Sequence, residues 1–417
     1  MDVIRLAGPP GVGKSTLAQR IAQERSSTLP SVGYVDIDQL GMLYPAPEGD
    51  DDRWALKERA LIALAAVHRE RGTRLLLVSG VADPVAPPPE TAPGRTRSLW
   101  LTAEPETLHA RLQGRGWGPS MVEETVATGS AESRRRHPDW TGLPVDGVDE
   151  AQAAAAVQEH LATAAGSAPP GEGEAPGGRL ADHAPSDREQ RAEHDALTTP
   201  VLWVTGPRCA GASSVAWSLA SGGWAQGRRT GFLDLAQLSF RRSVGGDESD
   251  GVVPDAAGPV SAEAVSAEAW QDPALGLDVL AAVAAVLVGA GMQELVVTAP
   301  FPVQPAQVRA ALPGAPVRVV RLHDEPGALR ERALRRRAGE GPMLAGDDLI
   351  GASDEQVEAA LERASRERAV PPRDGEETLE VHGRTPEELA SLIRDGAGPS
   401  GDTRDPAPGA ARDEAGR

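Results

Sequence analysis

The stretch GPPGVGKST, Gly8 to Thr16, fits the pattern G-x-x-x-x-G-K-[ST] at Gly8, Gly13, Lys14 and Ser15. An apolar run, VIRLAG from Val3 to Gly8, precedes it, and a helix-patterned run, STLAQRIAQER from Ser15 to Arg25, follows it. Strand, loop and helix in that order turn the pattern into a phosphate-binding loop. The glycines let the backbone adopt positive φ and bring its N–H groups to the phosphates, which sit at the positive end of the following helix. On this reading Lys14 reaches the β- and γ-phosphates and the Ser15 hydroxyl ligates Mg²⁺. ATP is thus expected on Gly8, Gly11, Val12, Gly13, Lys14, Ser15 and Thr16. A purely structural turn leaves Lys14 unexplained: among 42 basic residues only Lys14 and Lys57 are lysine. Where charge alone is needed this chain uses arginine, which does not replace a compact ammonium freely at phosphate oxygens.

A weaker echo of the loop, GPRCAGASS, runs from Gly206 to Ser214, with Ala212 in the place of Lys14. The two loops are 198 positions apart, and so are YVDIDQL (Tyr34 to Leu40) and FLDLAQL (Phe232 to Leu238). The match continues with drifting offsets. RLLLVSGVADP (Arg74 to Pro84) answers to ELVVTAPFPV (Glu294 to Val303), and both later helices open on a Glu-Pro step, at Glu104-Pro105 and Glu325-Pro326. Such self-similarity predicts a duplicated unit. Each half reads as alternating strands and helices, the pattern of a parallel sheet covered on both faces. Strands are expected near residues 2–7, 33–37, 74–79, 98–102 and 143–146, then 201–205, 230–235, 294–299, 317–322 and 378–382. The fold class is therefore α/β, two three-layer domains with about five parallel strands each.

The expected boundaries are 1–165 for the first domain, 166–197 for a linker, 198–396 for the second domain and 397–417 for a tail. The linker and tail are rich in Gly, Pro, Ala and charge, a composition that cannot bury enough apolar surface to fold. Residues Ser243 to Ala269, small and acidic, read as a surface insertion. The apolar run Val279 to Met292 is too short to span a bilayer and reads as a buried helix. A net charge of −19 argues against a nucleic-acid partner. One cysteine, Cys209, excludes an internal disulfide framework, and with a first strand starting near residue 3 the expected compartment is the cytoplasm, with no membrane contact.

Asp36 and Asp38 close the second strand, and strand alternation is expected to place both on one face. Carboxylates across from a phosphate loop can hold Mg²⁺ or accept the proton of an attacking hydroxyl. Arg53 and Lys57, in the helix that follows, offer charge to an anionic substrate on one reading and are solvated helix-surface residues on the other, which the pattern favours. Taken together, GPPGVGKSTLA, the strand ending in DID, the strand ending in VSG and EPETLHARLQGRG resemble the small-molecule kinases of the P-loop nucleoside-kinase-like group, the branch with shikimate, gluconate and chloramphenicol kinases. The resemblance covers about residues 1–161, with a fainter copy over 201–395. It implies ATP and Mg²⁺, with Asp36 on the metal and Asp38 contacting or deprotonating the acceptor hydroxyl. It also implies that Arg111 and Arg115 grip ATP from the helix after strand four. The third strand lacks the glycine run of shikimate kinases, and no sugar-acid signature is present.

The second half keeps Asp234 but has Ala236 opposite Asp38 and Ala212 opposite Lys14. Losing both removes two electrostatic parts of phosphoryl transfer, so this half reads as a pseudokinase. The expected activity is phosphoryl transfer from ATP to a small hydroxylated molecule by the first half, with intramolecular pairing of the halves. The alternative from another class is a nucleotide-dependent switch without an acceptor. A GTPase is excluded by the lack of N-K-x-D around either lysine, and a transporter ATPase by the lack of an LSGGQ-like stretch.

Overall fold

A computed structural model describes residues 1–92, 95–114, 117–165, 198–243, 272–299, 301–340 and 349–396. The linker (166–197), the tail (397–417), most of the acidic insertion and Arg115 lie outside these residues. The fold is α/β, with two mostly parallel sheets flanked by helices.

The first sheet is built from β1 (Asp2–Ala7), β2 (Ser31–Asp36), β4 (Leu75–Ser79), β5 (Thr96–Thr102) and β6 (Thr141–Pro144), all parallel, in the order β6-β5-β1-β4-β2. The second sheet uses β7 (Val201–Thr205), β8 (Thr230–Asp234), β10 (Glu294–Thr298), β11 (Val317–His323) and β12 (Glu376–Glu380), in the equivalent order β12-β11-β7-β10-β8. The central strands β1 and β4 are almost wholly buried, which explains why they read as continuous Val/Ile/Leu runs without alternation.

Each sheet has six strands where the sequence pattern predicts five. The sixth is antiparallel and comes from the other half. β3 (Leu43–Tyr44), from the first half, pairs with β8, and β9 (Arg241–Ser243), from the second half, pairs with β2. The surface insertion expected from Ser243 thus has its first residue inside a strand.

The helices of the first half are α1 (Lys14–Ser26), α2 (Trp54–Glu70), α3 (Pro105–Gly114), α4 (Pro119–Arg135) and α5 (Glu150–Ala165). Those of the second are α6 (Ala212–Ala225), the short α7 (Leu235–Leu238), α8 (Pro273–Gly289), α9 (Pro305–Ala311), α10 (Pro326–Arg337), α11 (Asp354–Ala369) and α12 (Pro386–Arg394). The apolar run that reads as a buried helix is α8, and its cover is α2 of the first half. One continuous core joins Leu40, Leu43, Leu61 and Leu64 to Val279, Leu280, Val283 and Leu287, every one of them fully buried. Each such side chain contributes about 1.5–3 kcal/mol of transfer free energy, so neither half keeps its inner face dry alone. At the rim of this contact Arg71 donates to Asp278 at 2.6 Å. Among the described residues no helix is long and apolar enough to cross a membrane.

Candidate active site

The loop after β1 wraps the N-terminus of α1, with Gly13 at the cap in the left-handed region (φ 103°). Gly8 (φ 137°) has no room for a side chain, because a Cβ there runs into the Leu101 carbonyl oxygen. Lys14 is 8% exposed, and its ammonium donates to the carbonyls of Gly8 and Pro9, each at 2.9 Å, so it is folded back over the loop it serves. Arg111, from α3, lies across the same loop and donates to the Val12 carbonyl at 2.8 Å. α4 packs onto the loop through Gly129, where a Cβ meets Pro9.

Asp36 ends β2 and does two things. One carboxylate oxygen caps the following 3-10 turn (Ile37–Gly41), accepting from the Asp38 N–H at 3.0 Å; the other accepts from the Ser15 hydroxyl at 3.3 Å. Ser79, at the end of β4, joins them, donating toward Ser15 at 3.3 Å and sharing a hydrogen bond with the Tyr34 hydroxyl at 3.0 Å. Burial, with the charge of Asp38 second, raises the Asp36 carboxyl to about 6. Burial also holds the Tyr34 phenol above its ordinary value. Strand alternation is not what brings Asp36 and Asp38 together, since β2 stops at Asp36 and Asp38 lies on the turn. The two carboxylates meet over Gly80, where a Cβ sits 3.0 Å from Asp36 Oδ1 and 3.3 Å from Asp38 Oδ2.

Lys57 is the main correction to the sequence reading. It is not a solvated helix-surface residue: it is 5% exposed and donates to Asp38 Oδ1 at 2.8 Å, with its ammonium 4.7 Å from the Trp54 ring centroid. Gly41 makes room for its stem, since a Cβ there lies 2.6 Å from Lys57 Cγ. α2, which carries Lys57, is fixed at its start by Asp50, whose carboxylate accepts from the N–H groups of Ala55 (3.1 Å) and Leu56 (2.9 Å). Arg53 lies at the cap with its guanidinium 4.0 Å from the Tyr44 ring centroid. Asp36, Asp38, Ser15 and Lys14 therefore converge at the carboxyl ends of β1, β2 and β4, the usual ligand edge of an open α/β sheet.

The donor set fits a Mg²⁺ site. Ser15, Asp36 and Ser79 present only oxygen, and desolvation, with the charge of Asp38 second, holds the Asp36 carboxyl above its ordinary range. Among the described residues no group of three or more His, Cys, Asp or Glu forms a metal cage.

The second loop retains the backbone shape without the chemistry. Gly211 caps α6 at φ 89°, and Cys209, at the position of Gly11, holds φ 67° despite its side chain. Arg332 donates to the Cys209 carbonyl at 2.8 Å, much as Arg111 holds the first loop. Here a carboxylate has moved onto the loop: Glu367, from α11, accepts from the Arg208 N–H at 2.8 Å, while its other oxygen accepts from Arg363 at 2.8 Å. Asp234 keeps its cap on Ala236 (2.9 Å) and its contact with the Ser213 hydroxyl (3.3 Å), and burial raises it to about 6. With its folded value above the unfolded 3.8, its contribution is favourable at low pH and is lost as pH rises through 6. Asp234→Asn, which keeps the cap, is expected to stabilise the chain by about 3 kcal/mol at pH 8. The gain should vanish below about pH 4, and thermal unfolding across that range checks it.

Residues 4–132 match the model of a family described as an AAA domain. No curated protein matches the chain. Among solved structures the chain is similar to a gluconokinase from Sinorhizobium meliloti, with 21% identity over 39% of this chain and 96% of that one and a TM-score of 0.27. It is similar to a sugar kinase from a Janibacter species, with 20% identity over 39% and 95% and a TM-score of 0.29. A shikimate kinase from Bacteroides thetaiotaomicron gives 16% identity over 39% and 98%, with a TM-score of 0.28. The first half of the chain thus carries both the family match and a phosphate-binding-type loop at the N-terminus of α1.

Proposed function

We propose that the chain is an ATP- and Mg²⁺-dependent phosphotransferase acting on a hydroxyl of a small molecule. The first half is the working domain, and the second is a degenerate copy of it that serves as a pseudokinase partner. The observation that carries this reading is the convergence of buried Lys14, the Ser15–Asp36 contact and the Asp38–Lys57 pair at one sheet edge.

In this reading Gly8 to Thr16 hold the phosphates and Lys14 turns from its loop carbonyls to the β- and γ-oxygens. Arg111 braces the loop, and Arg115 is assigned to ATP on the resemblance alone. Ser15 and Asp36 hold Mg²⁺, which when bound neutralises charge on the transferring phosphoryl. Asp38 accepts the acceptor hydroxyl's proton, and Lys57 fixes that carboxylate in place. Most of the rate gain then comes from positioning and charge neutralisation, as is general for phosphoryl transfer.

The test is ATP consumption by the full chain with and without pools of hydroxylated metabolites. Consumption that depends on an added acceptor supports the kinase. Turnover indifferent to any acceptor supports a nucleotide-driven switch instead, a reading favoured by two unequal halves packed through one core. Calorimetric titration is expected to give one nucleotide per chain, because the second loop lacks the lysine and has Glu367 against its backbone. Two equivalent sites would contradict the pseudokinase assignment.

A further inference from the structure

We propose that the second half is a clamp on the turn that carries Asp36 and Asp38, with Phe240, Trp224 and Arg229 as positioning residues for the proposed active site. The inference rests on the functional reading above for the roles of the two aspartates, and on geometry for the clamp. The segment from Ser31 to Tyr44 contains both carboxylates and is gripped at both ends by the same partner.

At its start, β2 lies between β4 and β9, so its outer edge is paired with the second half: Ser31 with Ser243, Val32 with Arg242 and Gly33 with Arg241. Tyr34 donates its N–H to the Phe240 carbonyl at 3.1 Å, and the two rings pack at 5.8 Å. The Tyr34 hydroxyl leads directly to Ser79, Ser15 and Asp36. At its end, Leu43 pairs with Gly231 and Tyr44 with Thr230, and Phe232 donates to the Met42 carbonyl at 2.8 Å. The Tyr44 ring packs on Trp224 at 4.8 Å, and Arg229 donates to the Pro45 carbonyl at 3.2 Å. Between the anchors Leu40 is sunk in the shared core, where it joins Leu43 of the second anchor. Only a short turn separates the two grips, and it holds Asp38.

Catalytic and metal-ligating groups work when held within about 0.5 Å of their productive positions by neighbours that are themselves fixed. Here those neighbours belong to the second half, whose own loop lacks the lysine and the base. Its role on this inference is to hold its partner's aspartates at the right distance from its partner's loop.

The test uses the full chain with Phe240→Ala, Trp224→Ala and Arg229→Ala, beside the conservative Phe240→Tyr and Trp224→Phe. Amide hydrogen exchange reads residues 37–44, calorimetry reads ADP and ATP affinity with Mg²⁺ and with chelator, and thermal unfolding confirms the fold. Exchange at 37–44 is expected to accelerate in the alanine variants, and the gain in ATP affinity from Mg²⁺ to shrink about tenfold. Affinity in chelator should stay within about twofold, since it depends on Lys14 and the loop. The conservative variants should restore both. Folded variants with unchanged exchange and an unchanged Mg²⁺ gain would overturn the clamp. A wild-type chain that binds no nucleotide would overturn the functional reading instead, and the exchange data would still decide the clamp. If Phe240→Ala does not fold, Trp224→Ala and Arg229→Ala decide from the other anchor.

Discussion

Lys14→Ala is expected to abolish the stabilisation that nucleotide confers. With ATP at 100 times its Kd, the wild-type chain should melt roughly 3–5 °C higher than without it. The variant should melt at one temperature regardless of ATP or ADP. In the free chain Lys14 donates to two loop carbonyls at 2.9 Å, each a bond of about 1 kcal/mol, so the variant is expected to remain folded. Turnover, where an acceptor supports it, should fall about 10³-fold, because a point charge on the transferring phosphoryl acts most strongly in the transition state. An equal melting shift in variant and wild type would mean that the loop holds its phosphates by backbone alone.

Asp38→Asn separates binding from chemistry. The amide keeps the size of the carboxylate but cannot take a proton, so acceptor-dependent transfer should fall about 10²–10⁴-fold while ATP affinity changes less than about threefold. Initial rates with whichever hydroxylated acceptor the metabolite screen returns, together with calorimetry for ATP, provide the check. Transfer retained to within about threefold would move the proton-accepting role away from Asp38. Lys57 is then left beside an amide, so Lys57→Met in the same assay reports what the cation adds: loss of transfer with ATP affinity intact is expected there too.

The ten long strands lie within about two residues of where the sequence pattern puts them, because buried parallel strands leave continuous apolar runs. The loop was legible for a similar reason: its shape demands glycine and lysine at fixed spacing. β3 and β9 were not, since runs of two and three residues carry no periodicity and each pairs far along the chain. The shared core hid behind the same fact, as an amphipathic helix reads the same whichever sheet it covers. Lys57 was within reach. It stands three, four and seven positions before Ala60, Leu61 and Leu64, on the apolar stripe of α2, and the scarcity that marks Lys14 marks Lys57 equally. Gly80 gave no signal, because its neighbours meet only in the folded chain. Glu367 against the second loop was equally silent, being 159 residues from Arg208.

The reciprocal exchange of β3 and β9 bears on how the protein is made. Synthesis delivers β2 more than two hundred residues before the strand that covers its edge, and α2 well before α8. Until then the nascent first half presents an unpaired strand edge and a bare apolar helix face, the features that invite chains to join one another. A ribosome that stalls between the halves leaves a product with its loop and lysine complete and its adhesive surfaces open. Completion of the chain is therefore also its protection from aggregation.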